Sequence, residues 1–277
     1  CYIGKNSSES VLMMSNQRST KLRLVFAMAM FGTLGLFIRA IPLPSSIIAF
    51  VRGGVGMLFL LLVSLAKKNP PDGKAIRTNL TRLLPCGIMM GFNWILLFEA
   101  YKYTTVSVAT LSYYFAPVLV TLACPILFKE KMGAKQWICF GMSTLGIVLI
   151  TGVGDLSAGS NHVKGILFGL SAACLYATVV LLNKFIKGVT GIQRTFLQFV
   201  AAILILLPYV LLTDGITLGS LDVTGWIKLL IVGIVHTGVT YCLYFSSLKE
   251  LPGQKAAILS YIDPLVAVLI SVVVLGD

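Results

Sequence analysis

Charge is scarce in this chain. Only 12% of the residues are Asp, Glu, Lys or Arg, only 10 are acidic, and 2 are histidines. Soluble globular proteins carry about 25% charged residues, so a water-facing shell of ordinary polarity is excluded. A hydrolytic or metal-assisted centre needs several acid, base or ligand groups converging at one depth, and the sequence does not supply them. Five of the six cysteines stand singly within apolar stretches, with neither metal-site spacing nor a disulfide framework. Phosphate-loop spacing is missing as well, so no ATP-driven step is expected. No cofactor is expected.

What is present is apolar length. Hydrophobic residues make up 57% of the chain and the mean hydropathy is +0.92, the composition of an integral membrane protein whose solvent is the lipid bilayer. Nine apolar runs of about crossing length recur, at 24–41, 46–66, 83–101, 106–128, 137–153, 165–186, 195–212, 226–248 and 256–275. All read as helices, because backbone exposed to lipid must satisfy its own hydrogen bonds. Barrel strands would instead show alternation in segments of about ten residues. The first run is too long for a signal-peptide core and lacks a small-residue cleavage site after it, so it is expected to remain in the mature chain.

The stretch 91–130 repeats without a gap as 238–277, an offset of 147 residues. Gly91 meets Gly238, Phe98 meets Phe245, Lys102 meets Lys249, Tyr114 meets Tyr261 and Pro117 meets Pro264. Shifted by the same offset, the fifth run would fall at 284–300, so the register predicts a tenth helix beyond Asp277 and a chain cut before it. Met13 or Met14 is likewise a more natural beginning than Cys1. A half with five crossings ends on the side opposite its start, so the second half must insert upside down. The organisation expected is a cytoplasmic segment over 1–23, a first repeat over 24–153, an outer linker over 154–163 and a second repeat over 164–277.

The net charge of +12 is a topology signal. With the N-terminus inside, seventeen of the 22 Lys and Arg residues fall on the cytoplasmic side, whereas Arg39, Lys102, Lys164 and Lys228 fall outside and Arg52 lies within a span. These charges are spread over short loops rather than gathered in one basic domain, so no nucleic-acid partner is expected.

The ends of the fourth helix of each repeat carry a recognisable pattern. It reads Phe115-Ala116-Pro117-Val118 running to Lys129-Glu130, and Ile262-Asp263-Pro264-Leu265 running to Gly276-Asp277. Gly141, Gly146 and Gly152 space the fifth run. In these features the chain resembles the drug/metabolite transporter superfamily, and within it the EamA-type carriers. It departs from the family pattern at Ala116, Lys129 and Asp277. The resemblance implies an all-α fold of two inverted five-helix repeats, here with nine helices, in the bacterial cytoplasmic membrane. It also implies a carrier, an exporter by type, that moves small organic solutes by alternating access around a midplane site. A membrane-embedded enzyme, a lipid-handling protein and an inactive carrier fragment are the other readings.

Candidate site residues follow from what is expensive in a membrane. Arg52 and Asp263 are ionisable groups within spans, about 10 Å and about 18 Å below the outer ends of their helices. Either they pair or anchor structurally, or they serve transport, with Asp263 as a proton site or amine ligand and Arg52 as a carboxylate ligand. His236 is either a coupling or substrate-binding group or an interhelical hydrogen bond. It shares an α-helical stripe with Thr240, Tyr244 and Ser247, and in the repeat register Asn93 and Trp94 stand at the depth of Thr240 and Tyr241. Tyr113, Tyr114, Tyr176 and Tyr261 add aromatic faces suited to an amphipathic solute such as an amino acid or aromatic metabolite. Pro117 and Pro264 are expected to kink their helices. Gly53, Gly54 and Gly56 are expected to bring helices close, and the glycines of the fifth run leave a homodimer open.

Overall fold

The computed structural model describes residues 3–66, 73–128, 133–134, 137–138, 141–142, 145–146, 160–183, 185–216, 218–251 and 259–276. Among these residues the only regular structure is helical: α1 (Ile3–Gly32), α2 (Leu34–Arg39), α3 (Ser45–Ala66), α4 (Gly73–Tyr103), α5 (Val106–Tyr113), α6 (Ala116–Phe128), α7 (Ser160–Asn183), α8 (Gly191–Thr213), α9 (Val223–Ile231), α10 (Thr240–Glu250) and α11 (Ile262–Ile270). Two π-helical segments, Val232–Val239 and Ser271–Leu275, join α9 to α10 and extend α11. Among the described residues six helical stretches are long and apolar enough to cross a membrane: Arg18–Arg39, Ser45–Ala66, Gly73–Tyr103, Asn161–Asn183, Gly191–Thr213 and Val223–Ser247. Two shorter apolar ones, Val106–Val120 and Ile262–Leu275, stand where the fourth and ninth spans were expected. The expected fifth span, the 154–163 linker up to Ser160 and Asp277 lie largely outside the described residues.

Helix α3 shows how lipid shapes the faces. Ile48, Arg52, Gly56, Leu60 and Ser64, four apart and therefore on one face, are buried, whereas Leu58, Leu62 and Leu65 are exposed. The outward face is uniformly bulky and apolar, whereas the inward face sets small and polar residues beside Ile48 and Leu60, because lipid tails are as apolar as leucine and helices associate through close packing and hydrogen bonds instead.

The repeat is visible in the packing. Gly91 of α4 lies against Leu206 of α8, and Gly238 of the π segment lies against Phe59 of α3. In the 147-residue register Gly238 is the counterpart of Gly91, and Leu206 that of Phe59. Each half therefore contributes one equivalent face to a pair of symmetric interfaces, α4 on α8 and α3 on the π segment.

Among the described residues three spans are interrupted by a single turn. The first divides at Thr33, between α1 and α2. The fourth divides at Tyr114 and Phe115, and its counterpart turns at Tyr261 before α11. The kinks expected at Pro117 and Pro264 are thus helix starts. Both prolines sit in the first turn of the helix that follows the break, where a backbone N–H would have no acceptor within its own helix. Loop-side starts are capped: Thr105 accepts from Val108 N at 3.2 Å ahead of α5, Asp222 accepts from Gly225 N at 2.7 Å ahead of α9, and Thr190 and Gln193 form a capping box on α8.

Candidate functional site

Between the two halves lies a cavity of about 510 Å³. Its lining runs from Tyr101 and Thr110 through Arg52, Trp94 and Asp263 to Val120, Val180 and Tyr244. It draws on both repeats, and Tyr114 and Tyr261, at the interruptions of the fourth span and of its counterpart, line it.

Arg52 enters from α3. It is 3% exposed, and its Nε donates to Thr237 Oγ1 at 2.7 Å. The guanidinium lies 5.1 Å from the centre of the Trp94 ring and 5.3 Å from that of Phe98, so aromatic faces offset part of the loss of water around the cation. Among the described residues its terminal nitrogens have no protein acceptor. Asp263, in the first turn of α11, accepts from the Tyr114 hydroxyl at 2.5 Å. That hydroxyl also lies 3.3 Å from the Ser260 carbonyl oxygen. Gly32 of α1 sits against the Asp263 carbonyl, close enough that a Cβ there would overlap it.

The two charged groups do not pair. Each is held by a hydroxyl of a different element, and Tyr101, Tyr113 and Tyr241 lie near both. The physical reason is anchoring: Arg52 is fixed toward the π segment and Asp263 toward the break of the fourth span, leaving a polyaromatic space between them. The Tyr113 ring lies 5.4 Å from that of Tyr176 in a tilted contact, and Phe199 bridges Trp94 at 5.0 Å to Tyr241 at 5.5 Å. Among the described residues the hydroxyls of Tyr113, Tyr176, Tyr241 and Tyr244 have no protein partner, so a bound molecule would meet unspent donors and acceptors.

The cavity gathers Arg52, Trp94, Tyr113, Tyr114, Pro117, Tyr176, Tyr244, Tyr261 and Asp263 from the residues singled out in the sequence. It does not gather Asn93, His236, Thr240 or Pro264. Asn93 Nδ2 donates to Ala172 O at 2.6 Å and ties α4 to α7. His236 is fully buried, with Nε2 2.8 Å from Thr33 Oγ1 at the break of the first span and its ring against Phe37. Thr240 spends its hydroxyl on Val235 O at 2.8 Å. The stripe drawn through His236, Thr240 and Tyr244 assumed 3.6 residues per turn. The π segment lowers the rotation per residue there; Tyr241 lines the cavity beside Tyr244, whereas His236 is held against Thr33 and Phe37. Tyr101, Tyr241 and Thr237 escape a sequence reading; the repeat register, which sets Tyr241 opposite Trp94, is the signal that points to the second of them.

Polar contacts gather at the end of the bundle where α4 finishes and α3, α5, α7 and α9 begin. Lys102 Nζ donates to Leu43 O at 3.1 Å and to Glu99 at 3.4 Å, and Lys228 Nζ donates to Ala40 O at 3.3 Å. Ser46 donates to Asp214, Thr104 Oγ1 lies 2.8 Å from His162 Nδ1, and Ser107 N donates to Ser271 Oγ at 3.2 Å. Among the described residues no group of His, Cys, Asp and Glu is arranged to hold a metal ion.

Comparison with known proteins matches the EamA-like transporter family over residues 20–152 and again over 163–277. The uncharacterized transporter YxxF of Bacillus subtilis is 33% identical over 264 residues, covering 95% of this chain and 84% of that protein. An uncharacterized transporter of Archaeoglobus fulgidus is 28% identical, covering 92% and 87%, and the protein PecM of Dickeya dadantii is 26% identical, covering 83% and 73%. A solved crystal structure of 17% sequence identity superposes with a TM-score of 0.68 over 94% of this chain and 90% of the other, a likeness of fold.

Proposed function

The chain belongs to the EamA-like transporter family, an all-α family of membrane transporters, and on that premise we propose that it is a secondary carrier of small organic solutes, amino acids or related metabolites, with the inter-repeat cavity as its binding site. One observation carries this reading. A cavity of about 510 Å³, of the size of ordinary small-molecule sites, holds one guanidinium and one carboxylate that do not neutralise each other. A zwitterion supplies the missing partner to both: its carboxylate goes to the terminal nitrogens of Arg52, its ammonium to Asp263, and its side chain packs among the tyrosines. Intramembrane charges are costly, and those that are kept mark solute or proton paths.

Alternating access follows from the inverted repeat. The symmetric faces, α4 on α8 and α3 on the π segment, let the two halves exchange roles about a fixed site. The polar contacts at one end close it, and in our reading that end is extracytoplasmic, the N-terminus is cytoplasmic and the cavity faces inward, as an exporter loads. The chain sits in the cytoplasmic membrane; a homodimer is a further arrangement the family fold allows.

The test is counterflow in proteoliposomes with a mixed amino-acid and metabolite panel. Labelled solute is expected to exchange through the wild type, and Arg52→Gln and Asp263→Asn are expected to abolish that exchange at equal membrane abundance. Exchange that is absent for every member of the panel, or indifferent to both substitutions, would overturn the assignment of the cavity.

A further inference from the structure

The π-helical turn of the second repeat has no counterpart in the first. Residues 232–239 correspond in the repeat register to 85–92, which are α-helical within α4 and carry Pro85 where the π segment begins with Val232. Proline removes one backbone donor, and the π turn fits in an extra residue, so the two halves distort the same height by different means. Side chains accompany the π turn. Thr237 Oγ1 donates to Val232 O at 2.9 Å and Thr240 Oγ1 to Val235 O at 2.8 Å, each reaching five residues back. Threonine in an α-helix bonds the carbonyl three or four residues back, so these contacts belong to the π register.

Thr237 then has one role left. Its single proton is spent on Val232 O, so toward Arg52 its oxygen acts only as an acceptor, and it accepts from Nε. The approach is close because Gly56, one turn from Arg52 on α3, has no Cβ to collide with the Thr237 methyl. With Nε held and the faces of Trp94 and Phe98 beside it, the guanidinium plane is fixed and its two terminal nitrogens are presented to the cavity. Binding a carboxylate with two parallel hydrogen bonds needs that fork at a set angle.

We propose that Thr237 is the positioning residue for anion recognition: the π turn aims its hydroxyl at Arg52 so that the guanidinium fork meets the carboxylate of the solute. The proposal rests on the cavity being the solute site. In an α-helical turn the hydroxyl would rotate away by about one residue, about 100°. Arg52 would then settle on its aromatic neighbours, keeping its charge but losing its aim. Carboxylate-bearing solutes would suffer and cationic ones would not.

Three probes with one aromatic body separate these effects: L-phenylalanine with both charges, 3-phenylpropanoate with the carboxylate alone, and phenethylamine with the ammonium alone. Equilibrium binding is measured on the full chain in nanodiscs. Thr237→Val, which keeps the shape and removes the hydroxyl, is expected to weaken phenylalanine and phenylpropanoate about tenfold and phenethylamine less than twofold, with Thr237→Ser restoring the wild-type pattern. Equal weakening of all three probes, or of none, overturns the proposal. Arg52→Gln distinguishes the two levels of argument. If it too binds all three as the wild type does, the cavity reading falls; a defective Arg52→Gln beside a wild-type-like Thr237→Val removes only the role of Thr237. A readout without solute covers a chain that binds none of the probes. The rate at which phenylglyoxal modifies Arg52, followed by mass spectrometry, is expected to change several-fold in Thr237→Val and to stay at the wild-type value in Thr237→Ser. An unchanged rate in the valine variant overturns the proposal by itself.

Discussion

Asp263 and His236 look alike from the sequence, each an ionisable group deep in an apolar run, and their surroundings separate them. Asp263 lines the cavity and takes one hydrogen bond from Tyr114. Asp263→Asn preserves its size and removes its charge, so exchange of ammonium-bearing solutes is expected to fall at least about tenfold, as for a lost charged partner, with the amount in the membrane unchanged. Unaltered flux would take Asp263 out of the mechanism. His236 instead bridges to Thr33 between two helices. Interhelical hydrogen bonds in membranes contribute about 0.6 kcal/mol on average and up to about 1.7 kcal/mol. His236→Ala is therefore expected to lower the thermal midpoint in detergent while leaving solute affinity as it was; a several-fold change in affinity would return the imidazole to the site. The rarity of intramembrane charge made both residues conspicuous. What each one touches was not legible, because it depends on elements 203 residues apart for His236 and 149 apart for Asp263.

Elements were legible where apolar length alone defines them, and illegible where a span is interrupted. A hydropathy run passes through Thr33 and through Tyr114 without a mark, since the residues on both sides of each break are apolar. The π segment is invisible for a related reason: nothing in Val232–Val239 forbids an α-helix, and the five-back bonds of Thr237 and Thr240 that accompany the turn appear only in the fold. The glycines were more informative, and they yield a graded prediction. A Cβ at Gly91 would lie 3.2 Å from the nearest atom of Leu206, whereas at Gly238 it would lie 2.6 Å from Phe59. Overpacking costs about 1–3 kcal/mol where neighbours must move. Gly238→Ala is thus expected toward the upper end of that range and Gly91→Ala below it, read as the order of the two melting temperatures. Equal melting temperatures would mean that the two symmetric interfaces are equally tight, against the difference the contacts describe. Gly54 has open space beside it and is not a packing device among the described residues.

At the scale of the molecule, the duplicated register determines an inverted pair of halves, and the pair determines that a cavity lies between them. A carrier built this way must open one end as it closes the other. The contact of Ser107 with Ser271 joins the start of α5 to the π segment that extends α11, at the end where the polar contacts gather, 3.2 Å from nitrogen to oxygen. The fourth spans of the two repeats, to which these segments belong, also carry Tyr114 and Asp263 beside the cavity, so parting them at that end would change the site they share. Ser107→Cys with Ser271→Cys, in a chain whose native cysteines are replaced, can be bridged by a short methanethiosulfonate cross-linker. Bridging is expected to bring counterflow to background and reduction to restore it, while solute still binds the locked protein with its affinity changed less than about twofold, because the cavity remains accessible from the other side. Reagent on either single variant should do nothing. Undiminished exchange through the bridged protein would show that this end does not open during transport, and alternating access about the cavity would have to be abandoned even if the cavity binds its solute.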